Sequence, residues 1–111
     1  MVMEEYDIAV IKVAYEGGDG AKLRPAFVIK LNGDAVEFYK ITSQYWNKSD
    51  WIKTRYFEII DYTEAGLRKP SWIDTVRREY CEKKATKIKT IGQLSDRDLK
   101  RFKRFLGGAI E

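Results

Sequence analysis

A chain of 111 residues that is 44% hydrophobic, 14% aromatic and 34% charged suits one globular domain with a core of its own, and overall disorder is excluded. One cysteine and no histidine exclude an internal disulfide, a Cys/His zinc site and any nucleophile activated by histidine. The net charge of +4 is unevenly placed: residues 77–104 carry eleven Lys and Arg against four Asp and Glu, whereas residues 1–76 come to −2.

That basic C-terminal quarter fits either a surface facing a polyanion or a solvated helix face. No run approaches the roughly 18 apolar residues of a membrane span, and MVMEEYD at the start lacks the basic-then-apolar pattern of a secretory signal. A cytoplasmic protein with no membrane partner is expected.

In chain order, residues 8–13 are apolar and β-branched and predict a first strand. EGGDG at 16–20 reads as a flexible loop, not a nucleotide fingerprint. Residues 26–31 and 35–41 predict the next two strands, joined through Leu31-Asn32-Gly33-Asp34. Asn-Gly accepts positive φ at both positions, so a two-residue hairpin turn is expected with Leu31 opposite Asp34. Residues 51–60 (WIKTRYFEII) and 72–80 predict two further strands.

Ser95 with Asp98 three positions on resembles a capping box, and Gly107-Gly108 supplies a stop, so a helix is expected between them. Leu99, Phe102, Phe105, Leu106 and Ala109 form its apolar side, with Arg97, Lys100, Arg101, Lys103 and Arg104 facing outward. The elements together predict a single domain over residues 1–111, mainly β with a C-terminal helix. Its form is a small, strongly curved antiparallel barrel or, alternatively, an open α+β sandwich.

The chemistry centres on Arg24, set extended at a strand entrance by Pro25. The expected turn pairs Arg24 with Ile41 and brings it to the same sheet end as Thr42 and Ser43, with strict alternation favouring Ser43 on its face. A guanidinium fork beside hydroxyls is suited to gripping a phosphate; the plainer alternative is an ion pair with a nearby carboxylate. QYWNKSDWIK follows at 44–53, alternating Tyr45, Trp46 and Trp51 with Lys48 and Lys53. Aromatic platforms beside cations hold single-stranded nucleic acid, each stacked base contributing about 1–3 kcal/mol. Trp46, in a loop, is the better stacking candidate, while Trp51 reads equally as a core or interface residue. The carboxylates are scattered, so no metal and no cofactor are assigned.

The order of the pieces carries a resemblance. Asp7-Ile8, a Gly-rich loop, Arg24-Pro25-Ala26-Phe27-Val28-Ile29, Ile41-Thr42-Ser43, Leu67 with Pro70-Ser71, and Ile91-Gly92-Gln93-Leu94-Ser95 before the helix together resemble the MazF/PemK family of toxins. The resemblance spans nearly the whole chain. It implies an SH3-like barrel, a homodimer, and a sequence-specific endoribonuclease of a type II toxin–antitoxin pair that cuts single-stranded mRNA without metal. The products are a 2′,3′-cyclic phosphate and a 5′-hydroxyl. By position, the catalytic arginine is Arg24 and the catalytic hydroxyl is Thr42 or Ser43. Lys22, Tyr45, Trp46, Lys48 and Ser71 stand as the candidate RNA contacts, and an acidic antitoxin as the cognate partner. From a different class, the same barrel could be a non-catalytic nucleic-acid-binding module or a toxin that poisons a topoisomerase.

Overall fold

In this computed structural model the described residues are 3–14, 21–84 and 87–110, with the backbone alone described at 13, 14, 21 and 108–110. The EGGDG loop expected at 16–20 lies outside them. Six strands and two helices follow in the order β1 (Asp7–Ala14), β2 (Ala21–Asn32), β3 (Ala35–Thr42), α1 (Asp50–Thr54), β4 (Tyr56–Ile59), β5 (Ser71–Glu82), β6 (Ile88–Gln93) and α2 (Asp96–Ile110). All pairings are antiparallel, in the sheet order β4-β5-β3-β2-β1-β6. Among the described residues no helix is long and apolar enough to cross a membrane.

The sheet buries apolar side chains on both faces, since period-2 alternation sends successive side chains to opposite sides. On one face Ile8, Phe27, Tyr39, Ile41, Phe57, Ile59 and Ile73 join Phe102 of α2. On the other lies a second cluster of Ala9, Ile11, Ala26, Val28, Val36 and Phe38. Bulges bend the sheet between them: β2 carries one between Val28 and Lys30, and four residues of β5, 75–78, bow out opposite Tyr39.

Two expected elements differ and one strand was not expected. Residues 51–60 are not one strand but α1 followed by β4, because Ser49 caps a helical turn, its hydroxyl accepting from the Ile52 N–H at 3.3 Å. Strand β6, IKTIGQ at 88–93, carries no long run of β-branched residues and was not expected from the sequence. The helix also runs on through Gly107-Gly108 to Ile110. Glycine lowers helix propensity but ends a helix mainly by turning left-handed, and among the described residues the glycines with positive φ are Gly33 and Gly66.

The capping box is only half formed. Ser95 Oγ accepts from the Asp98 N–H at 3.1 Å, but the fully buried Asp98 carboxylate turns inward to accept from the Asp61 N–H at 2.7 Å and from Arg101 at 2.7 Å. Asp61 in turn accepts from Ser95 Oγ at 2.6 Å and pairs with Arg97. The basic side of α2 is therefore only partly free: Arg97 and Arg101 hold carboxylates and the Lys103 ammonium lies over the Tyr6 ring at 5.4 Å, while Lys100 and Arg104 are exposed.

The Arg97 guanidinium, then the Ser95 hydroxyl, hold the Asp61 carboxyl below its ordinary value. A carboxyl depressed by folding stabilises the fold above its unfolded pKa, and that stabilisation is lost as pH falls through the folded value. Between about pH 5 and pH 2 the melting temperature should therefore fall more steeply for the wild type than for Asp61→Asn. Parallel pH profiles would show that this network does not couple folding to protonation.

Candidate nucleic-acid interface

The hairpin sets the site. The turn residues are Gly33, with φ of 61°, and Asp34, so Asn32 pairs with Ala35 and Leu31 with Val36, one residue away from the expected turn. Gly at the first central position is the arrangement that type II′ turns favour. After the bulge the register moves again, to Phe27 with Tyr39 and Ala26 with Lys40. Continued by two residues, it sets Arg24 opposite Thr42, not opposite Ile41. The parity that favoured Ser43 is thus reversed by the bulge, and Ser43 lies in a bend just past β3.

Residues directly opposite across a ladder share a face. Arg24 pairs with Ile11, which belongs to the second cluster, so Arg24 rises from the face opposite α2. By alternation that face carries Lys22, Arg24 and Ala26 on β2 and Lys40 and Thr42 on β3. The pairs Thr42–Trp72, Lys40–Asp74, Tyr56–Asp74 and Glu58–Trp72 extend it across β5 and β4. One half of the face is cationic and the other combines rings with carboxylates.

Arg24 is exposed, and no hydrogen bond or ion pair ties its guanidinium to another described residue. The alternative of an Arg held by a neighbouring carboxylate does not apply among them. Lys22 is exposed beside it. Thr42 Oγ1 accepts from the Gln44 N–H at 3.0 Å, which leaves its own O–H to donate elsewhere. Lys40, unmarked by sequence reasoning, is half exposed, its ammonium 3.9 Å from Glu79.

Past Thr42, the chain lays Tyr45 flat on Trp72, with centroids 4.7 Å apart and planes 8° apart. Trp46 meets Tyr45 edge to face at 5.0 Å and is 78% exposed. Lys53 lies over both, 5.4 Å from the Tyr45 centroid and 5.7 Å from that of Trp46. Lys48 is half-buried, its N–H donating to the Tyr45 carbonyl at 3.0 Å. Trp51 is exposed on α1, outside the core.

Ser71 falls away from this group. It is buried, donates to the Lys69 carbonyl at 2.8 Å and pairs with Ile59 on the α2 side of the sheet. Sequence reasoning missed Lys40, Tyr56, Trp72 and Asp74 as neighbours of Thr42. Their signal was the i, i+2 spacing of Lys40 with Thr42 and of Trp72 with Asp74, meaningful only once β3 is known to pair with β5.

Several motif residues serve the frame instead. Asp7 is buried, accepting from Gln93 Nε2 and from the Glu4 N–H, each at 2.8 Å. A Cβ on Gly92 would stand 2.3 Å from the Ala65 carbonyl oxygen, and one on Gly66, where φ is 87°, 2.4 Å from that of Ile91. These glycines let the 61–67 turn lie directly on β6. Among the described residues no group of three or more acidic or cysteine side chains is placed to hold a metal ion. No protein-family model matches the chain, and no curated protein matches it at a significant level.

Proposed function

We propose that the chain is an endoribonuclease toxin of the MazF/PemK kind, with an SH3-like barrel fold, that cuts single-stranded RNA at the Arg24–Thr42 face. The observation that carries this reading is the hairpin register, which, continued two residues past Ala26–Lys40, sets a guanidinium without a partner among the described residues on the same face as a hydroxyl, with Lys22 and Lys40 and near an exposed tryptophan. Cations for the phosphates and a ring for a base are the two requirements of single-strand binding.

In the proposed reaction the ribose 2′-oxygen attacks phosphorus as its proton passes to solvent water. A new O–P bond forms, the bond to the 5′-oxygen breaks, and that oxygen takes up a proton from water. Arg24 stays protonated throughout and stabilises the charge that grows on the phosphoryl oxygens, while the Thr42 hydroxyl donates to one of them. A homodimer and an acidic antitoxin whose disordered tail folds over the cationic face complete the reading.

Incubation with a mixed RNA ladder in excess EDTA tests it. Discrete fragments ending in a cyclic or 3′-phosphate are expected, with Thr42→Ala slowing cutting about tenfold or more and Ser43→Ala far less. Retardation of RNA without cutting would establish the binding module in its place, and activity that needs Mg²⁺ would overturn the mechanism.

A further inference from the structure

We infer that Tyr45, Trp46, Tyr56, Trp72 and Asp74 form a subsite for one base of the RNA next to the cut phosphate, and that Asp74 selects guanine there. The inference rests on the nucleic-acid reading of the Arg24–Thr42 face.

The subsite adjoins the phosphate grip by register, since Trp72 is the direct partner of Thr42 and Asp74 that of Lys40. Its parts are linked contact by contact. Tyr45 covers Trp72 and stands 6.3 Å from Tyr56, the direct ladder partner of Asp74. With Trp72 covered, the open stacking surface is Trp46. Two residues along β5 from Trp72, on the same face, Asp74 offers a carboxylate, which repels phosphate and accepts from base N–H groups.

Asp74 is held for that role. Its Oδ1 accepts from the Val76 N–H at 2.9 Å, with Tyr56 as its direct ladder partner on the same face. An ionised carboxylate offers about four acceptor sites, which leaves room for two more donors. Guanine presents two adjacent N–H donors on its Watson–Crick edge, N1–H and the N2 amino group, in the parallel geometry that a carboxylate accepts best. Adenine and cytosine present an amino group beside an acceptor, and uracil one N–H between two acceptors. Each of those sets a lone pair against the carboxylate.

The test uses uncleavable 2′-deoxy octamers, one all-deoxyuridine and three with a single central guanine, adenine or cytosine, with binding followed by tryptophan fluorescence. The guanine octamer should bind wild type about tenfold more tightly than the others. Asp74→Asn keeps an acceptor for Val76 and should abolish that preference while leaving deoxyuridine binding within about twofold. Trp46→Ala should weaken all four. Equal binding of the four by wild type, or a guanine preference that survives Asp74→Asn, overturns the subsite alone. Failure of wild type to bind any octamer overturns the nucleic-acid reading beneath it.

Discussion

Replacing Arg24 by lysine is expected to slow RNA cleavage by about a hundredfold or more while leaving the melting temperature unchanged. The charge is kept, so the loss isolates geometry: a planar fork makes two parallel hydrogen bonds to a phosphate and follows it into the more highly charged transition state, and an ammonium cannot. Arg24→Ala should cut more slowly still. Neither variant should unfold, because the side chain is exposed and holds no partner among the described residues. Both should still retain uncleaved RNA through Lys22, Lys40 and Trp46. If Arg24→Ala cuts at near the wild-type rate, Arg24 is a surface charge and the reaction happens elsewhere.

The sequence made the local features of this arrangement readable and left the long-range ones hidden. The strands before and after Gly33 could be read because β-branched runs and a turn glycine act over a few residues. The register could not, because the bulge between Val28 and Lys30 has no local signature, and that bulge decides whether Thr42 or Ser43 faces Arg24. The segment 51–60 went wrong for a related reason: its alternation was genuine, but Ser49 and Asp50 act first and wind the chain through one helical turn before β4 begins.

Charge misled in another way. Arg97 and Arg101 read as solvated cations, yet Asp61 and the buried Asp98 claim them across more than thirty residues of chain or one helical turn. A second group of cations stands on β2 and β3, where Lys22, Arg24 and Lys40 are spaced singly and form no run, while Lys100 and Arg104 stay exposed on the helix as expected.

The second large effect concerns the opposite face. Phe102→Ala is expected to cost about 3–5 kcal/mol, the usual range for removing a fully buried aromatic ring from a core. Phe102 is 0% exposed and joins α2 to the sheet through ring contacts with Phe27 at 4.9 Å, Phe57 at 5.2 Å and Tyr39 at 6.5 Å. Those partners come from β2, β4 and β3, so one truncation loosens the helix from three strands together. Against a total stability of roughly 5–15 kcal/mol for a domain of this kind, the melting temperature should drop by about 15 °C or more.

Phe102→Leu, which keeps most of the volume, should lose less than half as much. Because α2 packs on the face away from Arg24, the fraction of Phe102→Ala that remains folded at low temperature should cut RNA at close to the wild-type rate per folded molecule. The Arg24 and Phe102 variants thus separate the two faces, one losing turnover with the fold intact and the other losing fold with turnover intact. A drop of only a few degrees in Phe102→Ala would mean that α2 is not anchored by this ring. A folded fraction that cannot cut would mean that the helix face and the Arg24 face are not independent.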